Sequence, residues 1–203
     1  CDPAEPEAAA LAERAAAAEE TALAVAGVRN SEGAQAGWSR TGIALAGSNG
    51  FAGHYARTAH SVSVSVVAGT GTAMERDYDH ASAVHLSDLD DPEQLGQAAG
   101  LRAVRRLNAR RPRTARVPVV YEPRVAASLL GHLAAAVNGA AVARGTSFLR
   151  DAMGQAVLAP GLTVRDDPAR PRGLRSRPFD GEGMLAAGRA IVADGVLQSW
   201  ILD

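Results

Sequence analysis

Apolar and polar positions change period several times along the chain, and each change marks an element. Residues 2–27, DPAEPEAAALAERAAAAEETALAVAG, have Asp and Pro at the start, strong helix formers throughout and Gly27 after the end. That punctuation predicts a helix with an alanine face suited to close packing on a sheet. From Ser39 the period shortens. Ile43 and Leu45 alternate ahead of Asn49-Gly50, a type I′ turn signal, and Val62, Val64 and Val66 alternate with Ser61, Ser63 and Ser65. These are antiparallel strands with one wet face. Gly69-Thr70-Gly71 then turns the chain into another strand-like run, AMERDYDHASAVHL.

Asp91 offers an N-cap, Pro92 the first helical position and Gln94 the return half of a capping box, ahead of Leu95, Ala98, Leu101 and Val104. A helix over about 92–109 follows. RVPVVYEP reads as a short strand closed by Pro123, and Val125, Leu129, Leu133 and Val137 fall four apart on the next helix. LTVRDDP is a short strand and turn, RPRGLRSRPFDGEG an irregular loop, and GRAIVADGVLQSWILD a hairpin about Asp194-Gly195. Helices mixed with antiparallel strands give an α+β class, an antiparallel or mixed sheet with packed helices. Two segments are expected: 1–115, a helix, antiparallel strands and a capped helix, and 116–203, a strand, helix, loop and hairpin. They are either separate or one continuous domain.

Composition narrows the chemistry. With 203 residues, 47% hydrophobic but only 4% aromatic, the core must be built from Ala, Val and Leu. A net charge of −1 gives no global pull toward nucleic acid or anionic membrane. All 21 basic residues are arginine, which removes Schiff-base chemistry, a P-loop lysine and a Ser-Lys dyad. Cys1 is the sole cysteine, so no internal disulfide forms and a cytoplasmic setting is the default. No uncharged apolar run is long enough to span a bilayer. The first residues, CDPAEPEAAALAERA, enter a helix pattern without the polar tether of a lipoprotein, so a fragment of a longer protein is expected.

Candidate reactive groups are sparse. A zinc helix of the H-E-x-x-H kind needs two imidazoles on one face and a carboxylate beside the metal. His132 has Ala135 and Ala136 three and four residues on, and no Asp, Glu, Cys or second His lies between Glu122 and Asp151. His54 and His60 share strand parity without a third ligand, and His80 and His85 have opposite parity. Asp77, Asp79 and His80 form an acid/base set or the wet face of a strand. Gly145-Thr146-Ser147-Phe148-Leu149 lacks the second glycine of a nucleophile elbow, and no helix pattern follows Gly69-Thr70-Gly71 as a dinucleotide site requires. Arginines group at 102–116 and 165–177 and could grip phosphate or a peptide carboxylate, but arginine is the sole basic residue type and no aromatics are interleaved, so a solvated face is the better reading and nucleic acid is disfavoured. Asp180 and Glu182 in RPFDGEG present two carboxylates to a partner or make a tight acidic turn.

The order VPVVYEPRVAASLLGHLAAAVNGAAVARGTSFL, LTVRDDP, RSRPFDGEG and IVADGVLQSWILD, with VRNSEGA and SNGFAGHY upstream, resembles the TldD/TldE (PmbA, modulator of DNA gyrase) peptidase family, and its TldE branch in particular. The resemblance covers nearly the whole chain and implies a PmbA/TldD-like fold. It also implies a middle portion of a protein about twice as long, without the family's C-terminal domain. In the TldD branch the corresponding helix carries H-E-x-x-x-H, and a cysteine of the C-terminal domain completes the zinc site. That spacing separates two side chains by about 140° on a regular helix, so the motif implies a distorted turn such as a π-bulge. Here Gly131, His132 and Ala135 fall at the motif positions. Counts from Leu129-Leu130 and from Arg144-Gly145-Thr146-Ser147 disagree by one residue, as loss of the bulge residue would produce.

The resemblance therefore implies no catalytic residue and no metal bound by this chain, with zinc in a TldD-like partner. Together the two would act on unfolded or small peptides, with Arg144, Gly145, Thr146, Ser147 and Phe148 lining the peptide chamber. Asp180, Glu182 and Gly183 form a family-type turn. The alternatives are an active metallopeptidase using His54, His60, His80 or His85, and a regulator of gyrase or DNA.

Overall fold

The structure is a computed structural model that describes residues 1–202, and the chain divides into two units. The first comprises Cys1–Pro112 with Pro171–Arg175, the second Arg113–Arg170 with Ser176–Asp203.

The first unit lays two helices, α1 (Ala8–Ala24) and α2 (Pro92–Arg105), on one face of an antiparallel sheet of β1 (Val28–Ala46), β2 (Ala52–Ala68) and β3 (Glu75–Ala83), in that order. The strand period decides which face. Val62, Val64 and Val66 are buried with Ala18 and Ala22 of α1 and Leu95, Ala99 and Ala103 of α2, while Ser61, Ser63 and Ser65 point the other way. This core holds no aromatic side chain, in keeping with an aromatic share of 4%.

With so little side-chain bulk, the helices must approach closely. A Cβ on Gly96 would collide with the Ala18 carbonyl oxygen, and one on Gly100 would lie 2.6 Å from Val25 Cγ2. Glycine and alanine on α2 therefore take inward positions that the sequence pattern gave to larger residues. Leu101, expected inside, is 41% exposed.

Asp91 caps α2 by accepting from the Glu93 N–H at 2.9 Å. The helix stops at Arg105 rather than near 109, because Arg106 and Leu107 close turn hydrogen bonds and Asn108 takes a left-handed φ of 59°. The β1–β2 turn also differs from expectation. Type I′ needs positive φ at both central residues, but among the turn residues only the glycine at its end, Gly50, has it (φ 86°). The Gly50 N–H bonds to the Gly47 carbonyl and Gly47 N–H to Phe51 O, as in a three-residue hairpin with a glycine bulge. Strand β1 also begins at Val28, well before the alternation at Ile43.

The second unit contains α3 (Pro123–Ala136), a short α4 (Gly139–Ala143) and a small antiparallel sheet of β4 (Val164–Asp166), β5 (Arg189–Ala193) and β6 (Val196–Leu197), in that order. Val137, Ile191, Val192 and Leu197 form its core, flanked by Leu133, Leu149, Val157 and Ile201. The hairpin expected about Asp194-Gly195 forms, and its turn has positive φ at both residues, 48° and 79°, as type I′ needs. The strand expected in RVPVVYEP is absent. Residues 113–122 take no regular structure, Pro118 removes a ladder donor, and Val120 is 95% exposed. Helix α3 forms as expected, but Val125 and Leu129 on its periodic face are nearly half exposed.

Candidate functional site

The helix that matters most for chemistry is α3. Gly131, His132 and Ala135 are all exposed on it, and a Cβ added at Gly131 would meet no atom within 4 Å. The helix is regular α from Pro123 to Ala136, with no π-turn. His132 therefore sits on an open surface with no carboxylate or second imidazole supplied by its own helix. Among the described residues, no three His, Cys, Asp or Glu side chains converge as a metal site would need.

Just beyond, residues 144–148 are shaped by helix termination. Asn138 caps α4 by accepting from Ala141 N–H at 3.2 Å. At the other end Gly145, with φ 70°, donates its N–H to Val142 O and Thr146 donates to Ala141 O. That pair of bonds is a Schellman motif, which needs a left-handed residue where Gly145 stands. Ser147 is buried. Its hydroxyl donates to the Ala136 carbonyl at the end of α3 and accepts from Leu149 N–H at 3.0 Å, so it is a brace with no base beside it. Arg144 is exposed, and Phe148 is 86% exposed. Neither owes its position to packing within the unit.

Asp180 organises the turn at 178–186. Its Oδ1 accepts from Glu182 N–H and Met184 N–H, each at 2.9 Å, and Gly183 turns with φ 83°. Those two donors, Met184 first, hold the carboxyl below its ordinary value. Asp180 is committed to the turn, and Glu182 is exposed beside it.

Of the remaining candidates, His54 and His80 are exposed, and the His80 ring stacks on Tyr78 at 5.9 Å. Asp77 and Asp79 face α2 from β3, where Arg106 donates to Asp77 at 3.0 Å and Arg102 pairs with Asp79. They tie strand to helix, so the proposed acid/base set with His80 does not assemble: its histidine lies on the opposite face.

His60 and His85 do come together, around a residue the sequence gave no reason to single out. Asp2, read as helix punctuation, is buried six positions ahead of the first residue of α1. Its carboxylate accepts from Leu86 N–H at 2.6 Å and Ala4 N–H at 3.1 Å, and its own N–H donates to Thr58 Oγ1 at 2.9 Å. His60 Nε2 lies 3.0 Å and His85 Nδ1 3.7 Å from its oxygens. Among the described residues neither nitrogen of the buried His60 ring has a hydrogen-bond partner, so that contact is one of proximity. Leu86 N–H, then Ala4 N–H, lower the Asp2 pKa against the opposing effect of burial. The group anchors the amino-terminal segment to β2 and the turn after β3.

Comparison with known proteins places these features in a family. Residues 1–107 match the model of the PmbA/TldA metallopeptidase central domain, and residues 114–203 match that of the PmbA/TldA metallopeptidase C-terminal domain. The chain belongs to the PmbA/TldD metallopeptidase family. The second segment, expected to precede the family's C-terminal domain, thus matches the model of that domain itself.

Within the PmbA/TldD family, the metalloprotease PmbA of Escherichia coli is 38% identical over 94% of this chain and 42% of its own length. A PmbA homologue of Haemophilus influenzae is 35% identical over 85% of this chain and 38% of its own. The crystal structure of a protein described as a modulator of DNA gyrase, from Bacteroides thetaiotaomicron, superposes with a TM-score of 0.91 at 28% identity. It covers 98% of this chain and 45% of that one. TldE of Thermococcus kodakarensis shares the fold, with a TM-score of 0.77 at 19% identity over 98% of this chain and 45% of its own. The chain therefore spans less than half the length of these PmbA/TldD relatives. Zinc held by a PmbA/TldD-type helix does not fit the residues of α3: the Gly131 and Ala135 side chains carry no donor atom, and among the described residues no group of three His, Cys, Asp or Glu gathers at His132.

Proposed function

We propose that this chain is a non-catalytic, TldE-like subunit of a heterodimeric zinc metallopeptidase whose zinc and general base belong to a TldD-like partner. The observation that carries the reading is α3 itself. A regular helix with Gly131, His132 and Ala135 on an open face has neither the donor set of a two-histidine zinc helix nor the distorted turn that the H-E-x-x-x-H spacing implies.

What the chain contributes is architecture. Phe148 and Arg144 project from a loop whose backbone is fixed by the Schellman motif and by Ser147, so a flexible peptide would meet pre-positioned side chains. Substrates are unfolded or small peptides, and the setting is the cytoplasm. Among the described residues no helix is long and apolar enough to cross a membrane.

The test is reconstitution. The protein mixed with a TldD-like subunit should co-elute with it and support hydrolysis of unfolded peptides that neither chain cleaves alone. Hydrolysis by this chain alone, abolished by chelators, would sink the proposal.

A further inference from the structure

Strand β2 breaks its own pattern at its middle. Its inward positions run Val66, Val64 and Val62, and the next two are His60 and Thr58, buried at 1% and 2% exposure. Thr58 is fully used, because its hydroxyl accepts from Asp2 N–H and donates to the Val84 carbonyl, each at 2.9 Å. His60 has no such partners. Among the described residues, the buried side-chain polar atoms without a hydrogen bond are both nitrogens of His60 and Nε1 of Trp38, its cross-strand neighbour on β1. A valine at position 60 would extend the apolar face without that cost, so the imidazole needs a reason.

Asp2 supplies one. Its side chain is 7% exposed, and the N–H groups of Leu86, first, and Ala4 hold its carboxyl below the ordinary value, so it is ionised. A buried charge without a counter-ion is costly, and among the described residues no arginine pairs with this one. The groups within reach that can carry positive charge are His60 Nε2 at 3.0 Å and His85 Nδ1 at 3.7 Å. His60 is the nearer, and its side chain is 1% exposed against 21% for His85, so water screens it less.

The other charges around the pair are committed elsewhere. Glu5 of the amino-terminal segment pairs with Arg40 of β1 at 2.8 Å, and Asp88, beside His85, pairs with Arg172 at 2.7 Å. Arg14 of α1, half-buried, has no ion pair among the described residues. Strand β3 sets Ala83 against His60, and α1 and α2 cover this face of the sheet with Ala18, Ala22, Leu95 and Ala99. All of these residues belong to the first unit.

We propose that Asp2 and His60 form a proton-operated latch on the amino-terminal segment: protonated His60 is the counter-ion of the Asp2 carboxylate, and loss of that proton loosens the segment from β2. At 3.0 Å the separation is already that of a hydrogen bond, so what the contact lacks is alignment, which rotation of the ring supplies. The latch needs Asp2 ionised and His60 protonated. It is therefore fullest in mild acid, above about pH 4, where a carboxylate takes a proton, and below about pH 6.5, where an imidazole ordinarily loses one; it weakens as pH rises further. It acts on residues ahead of α1 and is independent of the subunit proposal.

The test is nuclear magnetic resonance on the whole protein. Nitrogen chemical shifts of the ring report its charge, and at about pH 6 His60 should be a cation in the protein and neutral in Asp2→Asn. Ala4 and Leu86 donate to Asp2, so exchange of their amide hydrogens reads the latch directly. Expressed as protection relative to the unstructured chain, which removes the intrinsic effect of pH, it should fall about tenfold from about pH 6 to about pH 8.5. In His60→Gln the protection should be low and equal at both.

A neutral His60 ring in mild acid, a cation that persists in Asp2→Asn, or protection equal at the two pH values in the unsubstituted protein overturns the proposal. A pH response kept in His60→Gln but lost in His85→Gln also overturns it and moves the latch to His85. The ring shifts and the exchange are read in the unsubstituted protein, so the test holds even where His60→Gln fails to fold.

Discussion

The two units treat apolar residues in opposite ways. In the first, Val62, Val64 and Val66 are at most 1% exposed, covered by helices that approach closely because Gly96 and Gly100 stand where a side chain cannot. In the second, Val120, Phe148 and Leu185 are 95%, 86% and 80% exposed, and α3 leaves much of its apolar face uncovered. The first unit covers one face of its sheet with two helices, and the second leaves more of its large apolar side chains exposed.

The sharpest way to break this contrast is to place the same substitution in both helices. Gly96→Ala drives a methyl into the Ala18 carbonyl and should lower stability by about 3 kcal/mol or more, read from urea unfolding. Gly131→Ala, whose Cβ meets nothing, should raise it by about 0.5–1 kcal/mol, because glycine inside a helix is entropically poor. If both substitutions shift stability alike, the two helices do not differ in packing as described.

Ser147→Ala comes next. It strands the Ala136 carbonyl at the end of α3 and should destabilise by about 1–3 kcal/mol in the same measurement. A change near zero would mean that the brace is idle.

The Asp2 anchor sharpens the picture of the first unit through pH. Its carboxyl is held below the ordinary value of 3.8, so its folded form binds a proton less readily than the unfolded one. The stabilisation is complete above that value and is lost as pH falls through it toward the folded pKa. Melting temperatures of the protein and of Asp2→Asn should therefore differ at neutral pH and converge in acid, below about pH 4. A gap that stays constant down to acid pH would remove the carboxylate from the account. Smallest of all, His132→Ala should change stability by under about 0.5 kcal/mol, as exposed sites without partners do. It should also leave peptide hydrolysis by the reconstituted pair nearly unchanged.

What the sequence made legible was what depends on neighbours in the chain. The Val/Ser alternation of β2, the Asp91 cap and the Asp194-Gly195 turn follow from residues a few positions apart, and the structure has each of them. Asn49-Gly50 carries the same local signal as Asp194-Gly195, yet the turn takes the wider form closed by Gly47 and Phe51. Valines 117, 119 and 120 have strand propensity but no strand to pair with, and propensity without a partner makes no ladder.

The Asp2 anchor could not be read at all, because its strongest donor, Leu86, comes from 84 positions away. The inward glycines of α2 were hidden for a related reason: a pattern of large apolar residues cannot show a helix pair built on the absence of side chains. At the candidate site the sequence was more informative than at the core. Missing donors at Gly131 and Ala135 are visible in the letters, and the structure adds that the face is open and the helix regular.

Zinc content of the purified protein, measured by elemental analysis after preparation free of chelators, tests the central claim most directly. The account predicts no stoichiometric zinc in this chain and about one equivalent in its complex with a TldD-like subunit. About one equivalent bound by this chain alone would contradict it and would require a metal site that α3 does not provide.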